Sequence, residues 1–495
     1  MDEFLTNHNN SRKLVFQHSM SNLDQIQYKG MEGSSDIERG EVDESVQVHL
    51  EHRGMTVEHW KTTFNTEVLN AKSPLPATCC ILKVHEVLRG QKEEAYKPNI
   101  VSIGPFHRGA EKFQLIENVK KWYLNCLLWR TETITLDSLI ESIKEQEKKA
   151  RGYYEPCFHL DQSDFIKMLI LDGCFLIELF RKKSFVERQD ENDPIFNVPC
   201  MLEYLYHDIL LLENQLPWFV LEFFYDLIEG GLTGHRNSLS KLVIDFFKNS
   251  VADPNIFSNL NPNIFSNLNP ESDFKILHIL DLIRISLVEG LEDPSPHMEA
   301  RTSDTFKLIR HLPQRIPSAT ALSEAGVKFE KVKGRPGCIL NITFKNGVFT
   351  IPHLAIDERT GPLFRNLMAF EQCYHSCYHK ITSYAFLMDN LIDTSKDVDL
   401  LCEKGIIGTL LSADDASKFF NELYHDATLN EFYYLRLCGK VQQYYKVPWN
   451  RWREKLRRDY FGTPWATISF FAALVLTVLT FLGTIYTILQ YHHPS

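Results

Sequence analysis

The sequence predicts a mainly α-helical protein. It should have a large helical cytosolic body, a small antiparallel β-hairpin or sheet near 327–352, and one C-terminal transmembrane helix. Three observations lead there. Apolar residues recur at helical spacing through most of the chain from about Thr78 onward. One stretch breaks that pattern: VKFEKVKGRPGCILNITFKNGVFTI, over 327–351, alternates and is rich in β-branched and aromatic residues. Finally, Trp465 to Leu489 contains no charge.

Residues 1–74 are polar, acidic and poorly periodic, which predicts a mostly disordered tail with one short helix near 56–70. The body then runs over 75–446. Helical spacing recurs in 111–129, 135–149, 161–181, 200–229, 238–249, 273–290, 360–393, 396–405 and 414–447. Asp161 and Ser163 can cap the helix carrying FIKMLILDGCFLIELF, and Ser412 and Asp414 the one carrying KFFNELYH. Asn346-Gly347 is a strong two-residue hairpin signal. PNIFSNLN occurs twice in tandem over 254–269. Two copies are too few for a solenoid, so the duplication reads as a surface loop. Two apolar runs compete as membrane spans. Met168–Phe180 is short and holds Asp172 and Glu178; Tyr204–Leu227 holds Asp208, Glu213, Glu222 and Asp226. Charge facing lipid is costly, so both read as buried core helices.

The uncharged run at 465–489 is roughly 37 Å long as a helix, enough to cross a ~30 Å hydrocarbon core with some tilt. Ahead of it, the juxtamembrane segment 447–464 carries Arg451, Arg453, Lys455, Arg457 and Arg458 together with Trp449, Trp452, Tyr460 and Phe461, and Trp465 opens the run itself. Basic and aromatic residues suit an anionic headgroup layer, and the positive flank predicts a cytosolic body with the tail 490–495 across the membrane. No apolar leader opens the sequence at Met1. Within the span, Ala466, Ser469, Ala473, Thr477, Thr480, Thr484 and Thr487 fall within an arc of about 80°. This small and hydroxyl-bearing face is expected to associate with itself or with a partner helix. The opposing expectation is that each hydroxyl bonds its own i−4 carbonyl.

Composition excludes some classes. The formal net charge is −11, and the main basic cluster abuts the span, which argues against nucleic acid as a partner and for membrane lipid. Eleven cysteines, several within apolar runs such as Cys174, suit buried reduced thiols better than a disulfide framework. Gly104 and Gly109 have phosphate-loop spacing, but Ala110 and Glu111 follow where Lys and Ser or Thr are needed, so the segment reads as a turn without a cofactor. Cys373, His375, Cys377 and His379 alternate. On a regular helix they form two pairs about 200° apart, which cannot converge on one tetrahedral zinc. Asp172 and the Glu213-Asn214-Gln215 run are polar groups inside apolar segments and read as hydrogen-bonded core groups. The alternative is a hydrolase-type enzyme using Asp172 or Cys174 with a distant histidine. No catalytic motif supports it.

Several segments resemble one family. They are CCILKVHEVLRGQKEEAYKPNIVSIGPFHRG (79–109), LILDGCFLIELF (169–180), DILLLENQLPWFVLEFFYDL (208–227), IPSATALSEAGVKFE (316–330), FKNGVFTIPHLAID (344–357), FRNLMAFEQCY (364–374), ITSYAFLMDNLIDTSKDVDLLCEKGII (381–407) and WREKLRRDYFGTPW (452–465). In this order they resemble the plant family called domain of unknown function 247, or uncharacterised protein family 0481. The resemblance spans roughly 78–490. It implies a plant membrane protein with a C-terminal anchor and no established enzymatic activity. Some grass members are implicated in self-incompatibility, which implies recognition or signalling through protein interaction. His85 stands where the family pattern has Pro, a departure expected to alter only the first turn.

Overall fold

The computed structural model describes residues 57–71, 73–131, 134–185, 191–230, 239–248, 256–260, 275–288, 291, 315–333, 338–374, 376–429, 431–461 and 464–492. The chain divides into two units, Met1–Ser73 and Pro74–Ser495. In the first, helix α1 (Val57–Leu69) stands where one short helix is expected, and Trp60 stacks on Phe64 at 5.3 Å. The acidic stretch before residue 57 and most of the duplicated octapeptide lie outside the described residues.

The second unit is mainly helical. Helices α2 (Gln114–Arg130), α3 (Leu136–Lys144) and α4 (Gln162–Ser184) come first. Asp161 caps α4 by accepting the Asp164 amide at 2.7 Å, and Ser163 donates to the same carboxylate at 3.0 Å. Helices α5 (Pro199–Asp208), α6 (Trp218–Glu229), α7 (Leu239–Lys248) and α8 (Ile279–Val288) follow. α2, α3, α6 and α7 all pack against α4, so residues 168–182 are buried. The charges within 168–182 are paired: Asp172 with Lys120, Glu178 with Arg130 at 2.8 Å, Arg181 with Glu229, and Lys182 with Asp193 at 2.7 Å. That pairing lets a helix of this apolarity hold the centre of a globular core.

A short helix α9 (Ala319–Glu324) leads into a three-stranded sheet of β1 (Lys328–Lys331), β2 (Thr343–Lys345) and β3 (Val348–Ile351), in the order β1-β3-β2. The β2–β3 hairpin is antiparallel, with Lys345 opposite Val348. Asn346 and Gly347 both have positive φ, 52° and 79°, which is the backbone a tight I′ turn requires. The sequence suggests an antiparallel sheet, but the three-stranded sheet is mixed. β1 pairs parallel to β3, with Lys328 opposite Val348 and Lys331 opposite Ile351. A second pair, β4 (Leu354–Ile356) with β5 (Ile407–Thr409), is also parallel and has no counterpart in the sequence reading. Between them run α10 (Thr360–Cys373), α11 (Lys380–Leu391) and α12 (Ser395–Glu403). Helix α13 (Ala413–Leu423), capped by Ser412, and α14 (Leu435–Tyr445) complete the body. The chain continues through α15 (Pro448–Phe461) and α16 (Pro464–His492).

Three long helical readings break in the structure. The run 200–229 divides at 209–217, 360–393 at 374–379, and 414–447 at 424–434. At the first break Pro217 has no amide to donate, and the side chains of Asn214 and Gln215 take over backbone carbonyls of residues 208, 209 and 211. At 209–217 the apolar spacing persists because the loop is itself buried against the core.

Candidate functional site

The polar residues singled out inside apolar runs form one buried frame, and it holds an irregular segment rather than a substrate. Residues 99–104 lie in no helix or strand, yet their amides are nearly all satisfied. Asp208, at the end of α5, accepts the amides of Asn99, Ile100 and Val101 at 2.7, 2.7 and 2.9 Å. Asn214 accepts from the Ile103 amide at 2.6 Å and donates to the Val101 carbonyl at 3.1 Å. Asp172 accepts the Gly104 amide at 2.9 Å and the Lys120 ammonium at 2.7 Å. Lys120, fully buried, also donates to the Ser102 carbonyl and to Glu117, each at 2.5 Å. Glu213 accepts the Val84 amide at 2.7 Å and the Arg89 guanidinium, and lies 3.2 Å from His107. This network folds the Gly104–Gly109 segment into a turn, as its sequence indicates, with φ of 75° and 90° at the two glycines.

The hydrolase alternative rests on the same residues. Burial raises the Asp172 carboxyl, against the opposing pull of Lys120 and the Gly104 amide. Burial pushes the Cys174 thiol up to about 12, in the middle of α4. Both side chains are fully enclosed, and Asp172 is engaged by an ammonium and an amide rather than an imidazole. His278 is buried beside Phe370, its ring nitrogen accepts the Asp281 amide at 3.1 Å, and burial drives it down to about 3. A cleft lined by Tyr206, His207, Phe257, Arg359, Leu363 and Asn366 has room for about 10 Å³, the size of one water.

The Cys373, His375, Cys377 and His379 run does not lie on one regular helix. Cys373 closes α10, the chain leaves helix at Tyr374, and α11 begins at Lys380. His375 lies outside the described residues. Among the described residues no group of three or more His, Cys, Asp or Glu side chains is arranged to hold a metal ion. Among the described residues no disulfide joins any two cysteines. His85 caps the single turn Glu86–Arg89, its ring nitrogen accepting the Val87 amide at 3.3 Å.

The exposed apolar surface is concentrated at the C-terminal end. Among the described residues one helix is long and apolar enough to cross a membrane: Ile468–Ile488 in α16, 21 residues with a mean hydropathy of 2.3, none of it buried by the rest of the chain. Thr477, Thr480, Thr484 and Thr487 each donate to the carbonyl four residues earlier, Ala473, Leu476, Thr480 and Gly483, all at 2.8 Å. The face shared with Ser469 therefore offers room for close approach of another helix, while its threonine hydroxyls are already satisfied. The side chains of Ala466, Arg457 and Arg458 lie outside the described residues.

Ahead of α16, helix α15 is attached to the body by specific contacts. Tyr444 Oη donates to the Gly326 carbonyl at 3.3 Å, and Asn450 Nδ2 donates to the Tyr444 carbonyl at 3.0 Å. Tyr444 sits so close to the hairpin that a Cβ at Gly347 would fall 2.6 Å from its hydroxyl. A Cβ at Gly326 would lie 3.3 Å from the Asn450 carbonyl oxygen and 3.6 Å from Glu454 Cβ. Arg451 stacks on Tyr445 at 4.6 Å and donates to its hydroxyl at 2.7 Å. Arg453 and Lys455 are exposed, as are Trp449, Trp452 and Leu456. Sequence reasoning finds this basic and aromatic set. It does not find which side of the helix the body occupies.

Comparison with known proteins matches these segments to a family. The family model described as "Plant protein of unknown function", DUF247, matches residues 81–479. The UPF0481 protein At3g47200 of Arabidopsis thaliana is 30% identical over 439 residues, covering 86% of this chain and 89% of its own. A second Arabidopsis thaliana UPF0481 protein, At3g02645, is 25% identical over 496 residues, covering 81% of this chain and 89% of its own. No solved structure matches the chain. The match runs from Ile81 through the polar frame and into α16, and the chain belongs to the plant DUF247 family.

Proposed function

We propose that this chain is a single-pass, C-terminally anchored membrane protein whose helical body, on the cytosolic side, is a protein-interaction module for recognition or signalling. One observation carries the reading: the 21-residue apolar segment of α16, none of which is buried among the described residues. Leaving that much apolar surface in water is far costlier than placing it in a bilayer. The excess of Lys and Arg before the segment supports the orientation. The body supports interaction over catalysis, because Asp172 and Cys174 lie in a packed interior and the polar frame is spent on backbone groups. The partners in this reading are membrane lipid and another protein. Pairing of two spans through Ala473, Thr480 and their neighbours rests on shape rather than on unmet hydroxyls.

Alkaline carbonate extraction tests the anchor. The full chain expressed in plant cells is expected to stay in the membrane pellet, and a chain lacking 465–489 to move to the supernatant. Recovery of the full chain in the supernatant would contradict the reading.

A further inference from the structure

The two sides of α15 have different occupants. At about 100° per residue, Asn450 and Glu454 share one side of the helix, and Trp449, Trp452 and Leu456 fall within about 60° of each other on another, some 150° away. The first side meets the body at the Gly326 turn, where Asn450 and Glu454 are the nearest neighbours. The second is open: Trp449 is 66% exposed, Trp452 68% and Leu456 44%. Two exposed tryptophans and a leucine in register are not an ordinary soluble surface. α15 carries five basic residues against two acidic ones. Of these, Arg453 flanks the apolar stripe on one side and Lys455 on the other, while Arg451, next round from Lys455, is partly held by Tyr445.

We infer that α15 is a membrane-surface helix. Its Trp449–Trp452–Leu456 stripe seats in the headgroup layer of an anionic leaflet, and the body is carried on its opposite side. Two features name a lipid surface as the occupant. The helix ends at Phe461, three residues before α16 begins at Pro464, so this stripe is brought to the bilayer wherever the span inserts. The combination of apolar aromatic side chains with flanking cations matches an interface that is apolar below and anionic above. The consequence for the protein is orientation. Because Tyr444 and Asn450 tie α15 to the β1–β3–β2 region, the body is seated on the membrane through its Gly326 side rather than hung from a loose tether.

This inference rests on the anchor reading, and one experiment separates the two. The full chain is reconstituted into phosphatidylcholine–phosphatidylserine vesicles containing lipid brominated at a shallow acyl position, which quenches tryptophans in the interface. Flotation is measured first. The wild-type chain should float, and the bromolipid-quenched part of its tryptophan emission should fall by more than half in the Trp449→Phe/Trp452→Phe variant, which still floats. Neutralising Arg451, Arg453 and Lys455 to glutamine should lower the quenching of the remaining wild-type tryptophans in these vesicles by at least twofold. Flotation with quenching unchanged by the double tryptophan substitution would overturn the α15 inference and leave the anchor standing. It would mean that both rings stand clear of lipid, as on a surface reserved for protein. A wild-type chain that does not float would overturn both. Unfolding midpoints matching wild type confirm that the surface substitutions leave the body folded.

Discussion

Replacing Asp208 with alanine lowers the stability of the body by roughly 3–6 kcal/mol. The carboxylate is fully buried and accepts three consecutive amides, those of Asn99, Ile100 and Val101. Each amide left without an acceptor inside the protein costs about 1–3 kcal/mol, and alanine offers no replacement oxygen. Asp208→Asn keeps one acceptor oxygen but presents an NH2 to a site built of donors, so it falls between wild type and Asp208→Ala. The measurement is the urea midpoint of the full chain in detergent micelles, with the slope compared to confirm that the same surface is exposed. A loss below about 1 kcal/mol for Asp208→Ala, on the same scale, would mean that water reaches the three amides and that the frame is not the dry structure described.

Lys120→Met is expected to cost about 3–5 kcal/mol, for a different reason. Methionine fills the volume, but Asp172 keeps its buried carboxylate without a counter-charge, and the Ser102 carbonyl loses its donor. The defect has a pH signature. Burial already raises Asp172, and removing Lys120 removes the strongest influence that holds it down. The folded variant therefore binds a proton that the unfolded chain releases at its ordinary value of about 3.9. Its stability is best retained below that value and falls as pH rises through the range between the unfolded and folded values. Wild type, with the pair intact, loses less over the same interval. Adding Asp172→Asn to Lys120→Met should recover part of the loss, because it removes the uncompensated charge. Losses that simply add would show that the two groups are not coupled.

These expectations come from contacts that a linear reading does not reveal. Asp208 and the amides it accepts are more than a hundred residues apart, so the sequence shows a carboxylate in an apolar run but not its partner. Lys120 and Asp172 are 52 residues apart, and neither position in the sequence points to the other. What local chemistry controls is legible: the Asp161 and Ser412 caps, the Asn346-Gly347 turn, and the apolar helix Ile468–Ile488. What tertiary contacts control is not. The buried loop at 209–217 keeps helical apolar spacing without being a helix, since burial alone preserves the spacing. β4 and β5 have three residues each, too few for alternation to register, and their parallel pairing depends on the helices between them. At the candidate site the aromatic and basic residues of α15 are visible in the sequence. The side that faces away from the body is set by Gly326 and Tyr444, which lie on other elements.

The central claim is that residues 465–489 cross a membrane with the body on the cytosolic side. A glycosylation-acceptor peptide fused after Ser495 tests it in intact cells, with the same peptide before Met1 as the control. The C-terminal fusion is expected to gain an endoglycosidase-sensitive glycan, and the N-terminal fusion none. A C-terminal fusion that remains unglycosylated while an N-terminal fusion is modified would reverse the orientation, and a chain modified at neither end would contradict a crossing.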